Sequence, residues 1–219
     1  VLYIRTAHEL FAGTSGVHHQ CNQTWQVRTT DMTTIEINNG DWLEGYVSHS
    51  FNQFIQTDGT YIYRVDHSES DNVMMNDQYL SINGITLTMY YKENESTSVR
   101  TCIPVQFDIH DVNYTGASLG GFELGSGKCI IAYAQDISEY CSYRNIYISV
   151  TDQYFNNSKI VALTGYNRNE DITCRTPQLV KINENLFLVM WEESNLSTNK
   201  IVTKAMTIDA NANTIAEQV

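Results

Sequence analysis

The sequence predicts an all-β chain, a β-propeller or propeller segment of four-stranded antiparallel blades. Three observations point there. Short β-rich runs alternate with Asn, Asp and Gly turns; helix-period apolar patterns are missing; and the pattern recurs along the chain. Pro is nearly absent, with two residues. Three hairpins stack on one another: "FIQTDGTYIYRVDHS" from Phe54, "FELGSGKCIIAYAQD" from Phe122 and "LVKINENLFLVMWEE" from Leu179. Their separations, about 68 and 57 residues, suit propeller-type repeats.

Each hairpin has an apolar strand, a tight polar turn (Asp58-Gly59, Ser126-Gly127, Asn183-Glu184-Asn185), a strongly apolar strand and an acidic end. A second, more amphipathic set follows them. "YLSINGITLTMYYK" with "CIPVQFDI" succeeds the first, "NIYISVTDQYFNNSKIVALTGY" the second and "KIVTKAMTIDANANTIAEQ" the third. An apolar inner hairpin followed by an alternating outer one is what a blade needs, because inner strands meet neighbouring blades on both faces while outer strands meet water. At the N-terminus, "VLYIRTAHE" matches "IYRVDHSES" as a second strand, and "TWQVRTTDMTTIEI" is its outer hairpin. The chain therefore reads as one propeller domain over 1–219, with a partial blade over 1–40 and full blades over 46–112, 117–167 and 174–219. The partial blade lacks a first strand. Either the chain is a fragment of a longer propeller, or it holds a further strand, or a neighbouring molecule donates one and builds a filament.

Bulk composition narrows the partners. The chain has 219 residues, 42% hydrophobic and 17% charged, with a formal net charge of −12. That supplies one good-sized core. An acidic chain displaces no counterions from phosphates, so nucleic acid is excluded as a partner. No apolar run approaches the length of a bilayer span, so no membrane insertion is expected. Val1 in place of an initiator Met reads as a mature or trimmed product.

The five cysteines (Cys21, Cys102, Cys129, Cys141, Cys174) show no CxxC spacing. Under the blade register, Cys141 and Cys174 fall on the same end of the fold and form the expected disulfide. Cys129 falls in mid-strand as a buried thiol, and Cys21 with Cys102 remains a second pairing. Asn-x-Ser/Thr sequons at Asn22, Asn94, Asn113, Asn156 and Asn195 suit an extracellular chain, though roughly three or four arise by chance in such a composition.

The same register gathers the histidines. Turns within hairpins lie at one end of a blade, and the links between hairpins and between blades lie at the other. His8, His18 and His19 fall in or near the link of the partial blade, His49 enters the first full blade, His67 leaves its inner hairpin and His110 leads into the next. Asp66, Glu69, Asp71, Asp111, Asp136 and Glu192 join them. The candidate ligand set is His8, His19, His49, Asp66, His67, His110 and Asp136. Imidazole with carboxylate suits zinc and related metals, and Asp66, Ser68, Asp71 and Asn72 of "DHSESDN" offer oxygens to calcium. The plainer reading is that these side chains bond loop backbones and tie blade to blade, with no cofactor. No catalytic constellation emerges. "SVTDQYF" resembles the Asp-box turn of sialidase propellers without its Gly and Trp, and such turns are structural. Trp191 closes an apolar strand and reads as core.

Further, "RTAHELFAGTSGVHHQCNQT", "GYVSHSFNQFIQTDGTYIYRVDHS", "GGFELGSGKCIIAYAQD", "RNIYISVTDQYF" and "TPQLVKINENLFLVMWEE" resemble repeats of large, uncharacterised secreted or surface β-propeller proteins of bacteria. The Ser48–Gln53 element is the most specific part. Where that pattern continues Asp-His-Gly-Asp-Ala-Tyr-Pro-Arg, this chain has "DHSESDNVMM", which removes any role of the Pro-Arg. The resemblance implies a propeller fold and an extracellular or cell-surface location, and carries no enzymatic activity. The expected function is a non-catalytic surface, adhesive or filament-forming module, joined to itself or to other chains. The alternative is a glycan-binding or glycan-hydrolysing propeller using the His/Asp-rich end.

Overall fold

The computed structural model describes residues 1–12, 18–37, 53–75, 78–91, 98–104, 117–136 and 143–216. They fall into two compact units, Val1–Pro104 and Val105–Val219. Every sheet in both is an antiparallel meander.

Unit 1 holds two sheets. The first has three strands, β1 (Leu2–Ala12), β2 (His18–Val27) and β3 (Thr34–Ile37). The second has four, β4 (Gln53–Thr57), β5 (Tyr61–Met75), β6 (Gln78–Tyr91) and β7 (Ser98–Pro104). Gly59 takes a φ of 95° in the turn between β4 and β5, a backbone state open chiefly to glycine. Asp58 holds that turn, its Oδ1 accepting from the Thr60 and Tyr61 amides and its Oδ2 from the Tyr63 hydroxyl. From there β5 enters the core, and Ile62, Tyr63, Arg64 and Val65 are all buried. Four consecutive buried residues mean that both faces of the strand are covered. Ile62 packs against Tyr3 and Ile55.

One expectation fails in this sheet. "DHSESDN" is not a loop, because β5 runs on to Met75 and pairs with β6 throughout, apart from a bulge between Ser70 and Val73. Opposite it on β6 stand Thr86, Ile85 and Ile82, all β-favouring residues; a strand's context outweighs local propensity. A strand rises about 3.3 Å per residue, which spreads Asp66 to Asn72 over roughly 20 Å. Calcium needs its oxygens within about 2.6 Å of one point. The calcium-loop reading is therefore withdrawn.

Unit 2 holds two four-stranded sheets. One comprises β8 (Ala117–Gly125), β9 (Lys128–Asp136), β10 (Arg144–Asp152) and β11 (Lys159–Ala162). The other comprises β12 (Ile172–Asn183), β13 (Leu186–Asn195), β14 (Lys200–Ile208) and β15 (Thr214–Ala216). Between them lies the core: Ile130, Ala132 and Ala134 of β9 and Ile146, Ile148 and Val150 of β10 face Leu179, Phe187, Val189, Trp191, Met206 and Ile208. Close approach is built in, since a Cβ on Gly121 would lie 2.5 Å from Leu179 Cβ. Both inner strands also bulge at positions one repeat apart, at Gly120 and at Thr176-Pro177. All of β9 after Lys128 is buried, whereas β13 alternates buried with half-buried residues. The outward face of the last sheet leaves Val180 and Ile201 exposed.

Candidate functional site

In unit 2 the hairpin turns gather at one end. Ser126 bonds Glu184, Lys128 reaches the Asn211 side chain, and Lys159 Nζ donates to the Asn211 carbonyl at 3.0 Å. The links gather at the other end, and there the structure concentrates its buried polar groups.

Asp136, the last residue of β9, stands opposite Arg144, the first of β10. Arg144 Nε donates to Asp136 Oδ1 at 2.9 Å, and the carboxylate is fully buried. The Arg144 amide donates to Thr173 Oγ1 of the next blade at 3.1 Å. Asn145 acts as a substitute peptide. Its Nδ2 donates to the Tyr166 carbonyl at 2.9 Å, and its Oδ1 accepts from the Tyr166 amide at 2.9 Å and from Thr164 Oγ1 at 2.8 Å. Thus the chain leaving β11 is pinned to β10 without a further strand. A capping box at Asn167 and Glu170 then closes a short 3-10 turn, Arg168–Glu170, before β12.

Glu193 is the second buried carboxylate. Its Oε1 accepts from Trp191 Nε1 at 3.1 Å and from the Tyr166 hydroxyl at 2.9 Å, joining the inter-blade link to the core tryptophan. The residue expected at this end from the sequence is Glu192, one position away. Period-2 alternation from Phe187, Val189 and Trp191 puts Glu193 on the buried face and leaves Glu192 half-exposed, so that alternation was the signal for it. Arg144, Asn145, Tyr166 and Thr173 carried no motif, because their partners are distant in sequence, on other strands or in the next blade.

Cys174 corrects the disulfide expectation. It is a free, buried cysteine, packed in the core between blades with its Sγ 3.7 Å from Thr164 Oγ1. Burial pushes its thiol up to about 12, against the lowering effect of the Thr164 hydroxyl and with a further rise from the Glu193 carboxylate. Such a thiol is inert at neutral pH. Register put Cys174 at the right end of the blade but could not say that it points inward. Cys141 lies outside the described residues. Cys129 is buried in β9, while Cys21 and Cys102 stand in β2 and β7 opposite His8 and Thr86.

The histidines are placed by backbone alone. His8 lies in β1, and His18 and His19 lie in β2 opposite Ala12 and Phe11. Asp66 pairs with Gln53 at the end of the β4–β5 ladder, and His67 is one residue beyond it, opposite Ile85. So His67 does leave the inner hairpin, but into a continuing strand and not into a link. His49 and His110, with Asn94, Asn113 and Asp111, lie outside the described residues. Among the described residues no three His, Cys, Asp or Glu side chains gather as a metal-donor set.

"SVTDQYF" is a structural turn. Asp152 Oδ1 accepts from the Tyr154 and Asn156 amides at 2.9 and 2.8 Å, and Phe155 sits at a φ of 64°. The next blade repeats it at Asp209, whose Oδ1 accepts from the Asn211 and Asn213 amides, with Ala212 at 59°.

No protein-family model matches the chain, and no curated protein matches it. Solved structures do. An α-L-arabinanase of Penicillium chrysogenum, solved with arabinobiose, is similar over 98% of this chain at 12% identity and a TM-score of 0.50. This likeness is one of fold. The fold is that of a β-propeller segment, all-β with antiparallel blades, three of them four-stranded among the described residues. The GH43 protein BlXynB of Bacillus licheniformis and a mutant of it match 99% of the chain at 10% identity, with TM-scores of 0.33 and 0.34. This chain spans 65% of the arabinanase and 56% of BlXynB.

Proposed function

We propose that the chain is a non-catalytic, extracellular β-propeller module that serves as a surface, adhesive or filament-forming element. One observation carries the reading: the buried carboxylates at the link end of unit 2 are committed to structure. Asp136 is ion-paired with Arg144, and Glu193 accepts from Trp191 and Tyr166. A glycosidase of the usual two-carboxylate kind needs a pair facing a cleft, one to hand over a proton and one to attack or activate water. The exposed apolar side chains Val180 and Ile201 on one sheet face add support for contact with other chains.

The second reading is a glycan-acting propeller, favoured by the likeness in fold to an arabinanase solved with arabinobiose. A panel of arabinan, arabino-oligosaccharides and chromogenic glycosides separates the two. The expected result is no turnover, with light scattering showing species larger than a monomer. Turnover that disappears in Asp136→Asn or His67→Ala would replace the first reading with the second. A monodisperse monomer would remove the filament version.

A further inference from the structure

We propose that Asn156 is an acceptor for an N-linked glycan, an inference that rests on the extracellular reading above. Three sequons fall on described residues, and their surroundings differ. Asn22 lies inside β2, paired with Ala7 of β1. Asn195 closes β13, and its Oδ1 already accepts from the amide and hydroxyl of Thr198 at 2.8 Å each. The hydroxyl of that sequon, Ser197 Oγ, donates to Asp171.

Asn156 is different in each respect. It stands on the turn between β10 and β11, with Asn156, Asn157 and Ser158 all exposed. The backbone there is pinned. Asp152 N donates to the Asn156 carbonyl at 3.0 Å, the Asn156 amide donates to Asp152 Oδ1 at 2.8 Å, and Phe155 is buried beneath. The Asn156 side-chain amide and the Ser158 hydroxyl make no hydrogen bond among the described residues, so modification breaks nothing there. Tyr154, two residues earlier on the same turn, is 46% exposed. An exposed aromatic ring offers an apolar face on which the first sugar can lie.

The transfer is chemically complete with a lipid-diphosphate-linked oligosaccharide as co-reactant. A bond forms between Asn156 Nδ2 and the anomeric carbon, the bond from that carbon to the diphosphate oxygen breaks, the diphosphate leaves with the electron pair, and the amide gives up one proton to a base. The product is a bulky, solubilising group on a surface turn. That turn adjoins β11, the edge strand of its sheet. A glycan there blocks edge-to-edge strand pairing and leaves the link end, at the opposite side of unit 2, clear for a partner.

The test is secretion of the whole chain from a eukaryotic cell behind a foreign leader, followed by peptide mapping before and after enzymatic glycan removal. The expected result is a glycan on the peptide containing Asn156, lost in Asn156→Gln and in Ser158→Ala, kept in Ser158→Thr. Circular dichroism of the secreted variants shows whether they are folded. An unmodified Asn156 in folded, secreted protein overturns the proposal. Fractionation of the native cells is read separately: a chain found only inside them removes the extracellular reading, while a glycan on Asn156 in the secreted chain upholds the acceptor site.

Discussion

Glu193 and Ser149 show opposite ways of burying a polar group. Glu193 is buried yet receives two hydrogen bonds through one oxygen, from the Trp191 indole and the Tyr166 phenol. Removing it leaves the buried Trp191 indole N–H unpaired, worth about 1–3 kcal/mol, and takes a partner from the half-buried Tyr166 hydroxyl. Glu193→Ala is accordingly expected to cost about 3 kcal/mol in urea unfolding, and Glu193→Gln, which keeps an acceptor oxygen, much less. Equal losses for both would show that the charge, not the bonding, matters. Ser149 Oγ on β10 is buried with no hydrogen-bond partner among the described residues. Ser149→Ala removes an unsatisfied hydroxyl, so stability should stay level or rise by roughly 1 kcal/mol. A clear loss would mean that the hydroxyl has a partner.

At the level of the element, the hairpin turns were legible and the bulges were not. Ser126 and Gly127, at φ values of 50° and 69°, link β8 and β9 as a two-residue loop, which is the geometry expected of tight turns with both central residues left-handed. Such turns announce themselves because Gly, Asn and Asp are chosen by local backbone geometry. The bulges at Gly120 and Thr176-Pro177 are set by contact between blades, and no local signal reports that. Gly121→Ala should therefore destabilise the chain by about 1–3 kcal/mol through overpacking against Leu179, read by thermal or urea unfolding; a neutral outcome would show that β12 can move aside. The Asp209 turn makes a pH prediction. Burial alone would raise its carboxyl, but hydrogen bonds from Asn213 and Asn211 outweigh it and hold the carboxyl below the usual range. Its contribution is therefore present above about pH 4 and is lost as pH falls through the lowered folded value. Asp209→Asn should remove that part of the acid dependence, and an unchanged acid profile would refute the assignment.

For the whole molecule, the dominant facts are the net charge of −12 and the exposed apolar face of the last sheet. Like charges oppose association, and salt weakens that opposition, since the screening length falls from about 10 Å at 0.1 M to about 3 Å at 1 M. Self-association is expected to strengthen with added salt in light scattering; dissociation by salt would point to ion pairs as the adhesive contacts.

The sequence by itself determined the all-β class, the hairpin order, the turn positions, and the burial of Cys129 and Trp191, because turn chemistry and period-2 alternation act within a few residues. Only the tertiary structure decided the rest. It carried β5 through "DHSESDN", because pairing with β6 overrode local polarity. It turned Cys174 inward as a free thiol, joined Glu193 to Tyr166 of the inter-blade link and gave Asp136 to Arg144. Each of these outcomes depends on a partner brought close by folding and distant in sequence, or on the face a side chain takes once the sheets stack.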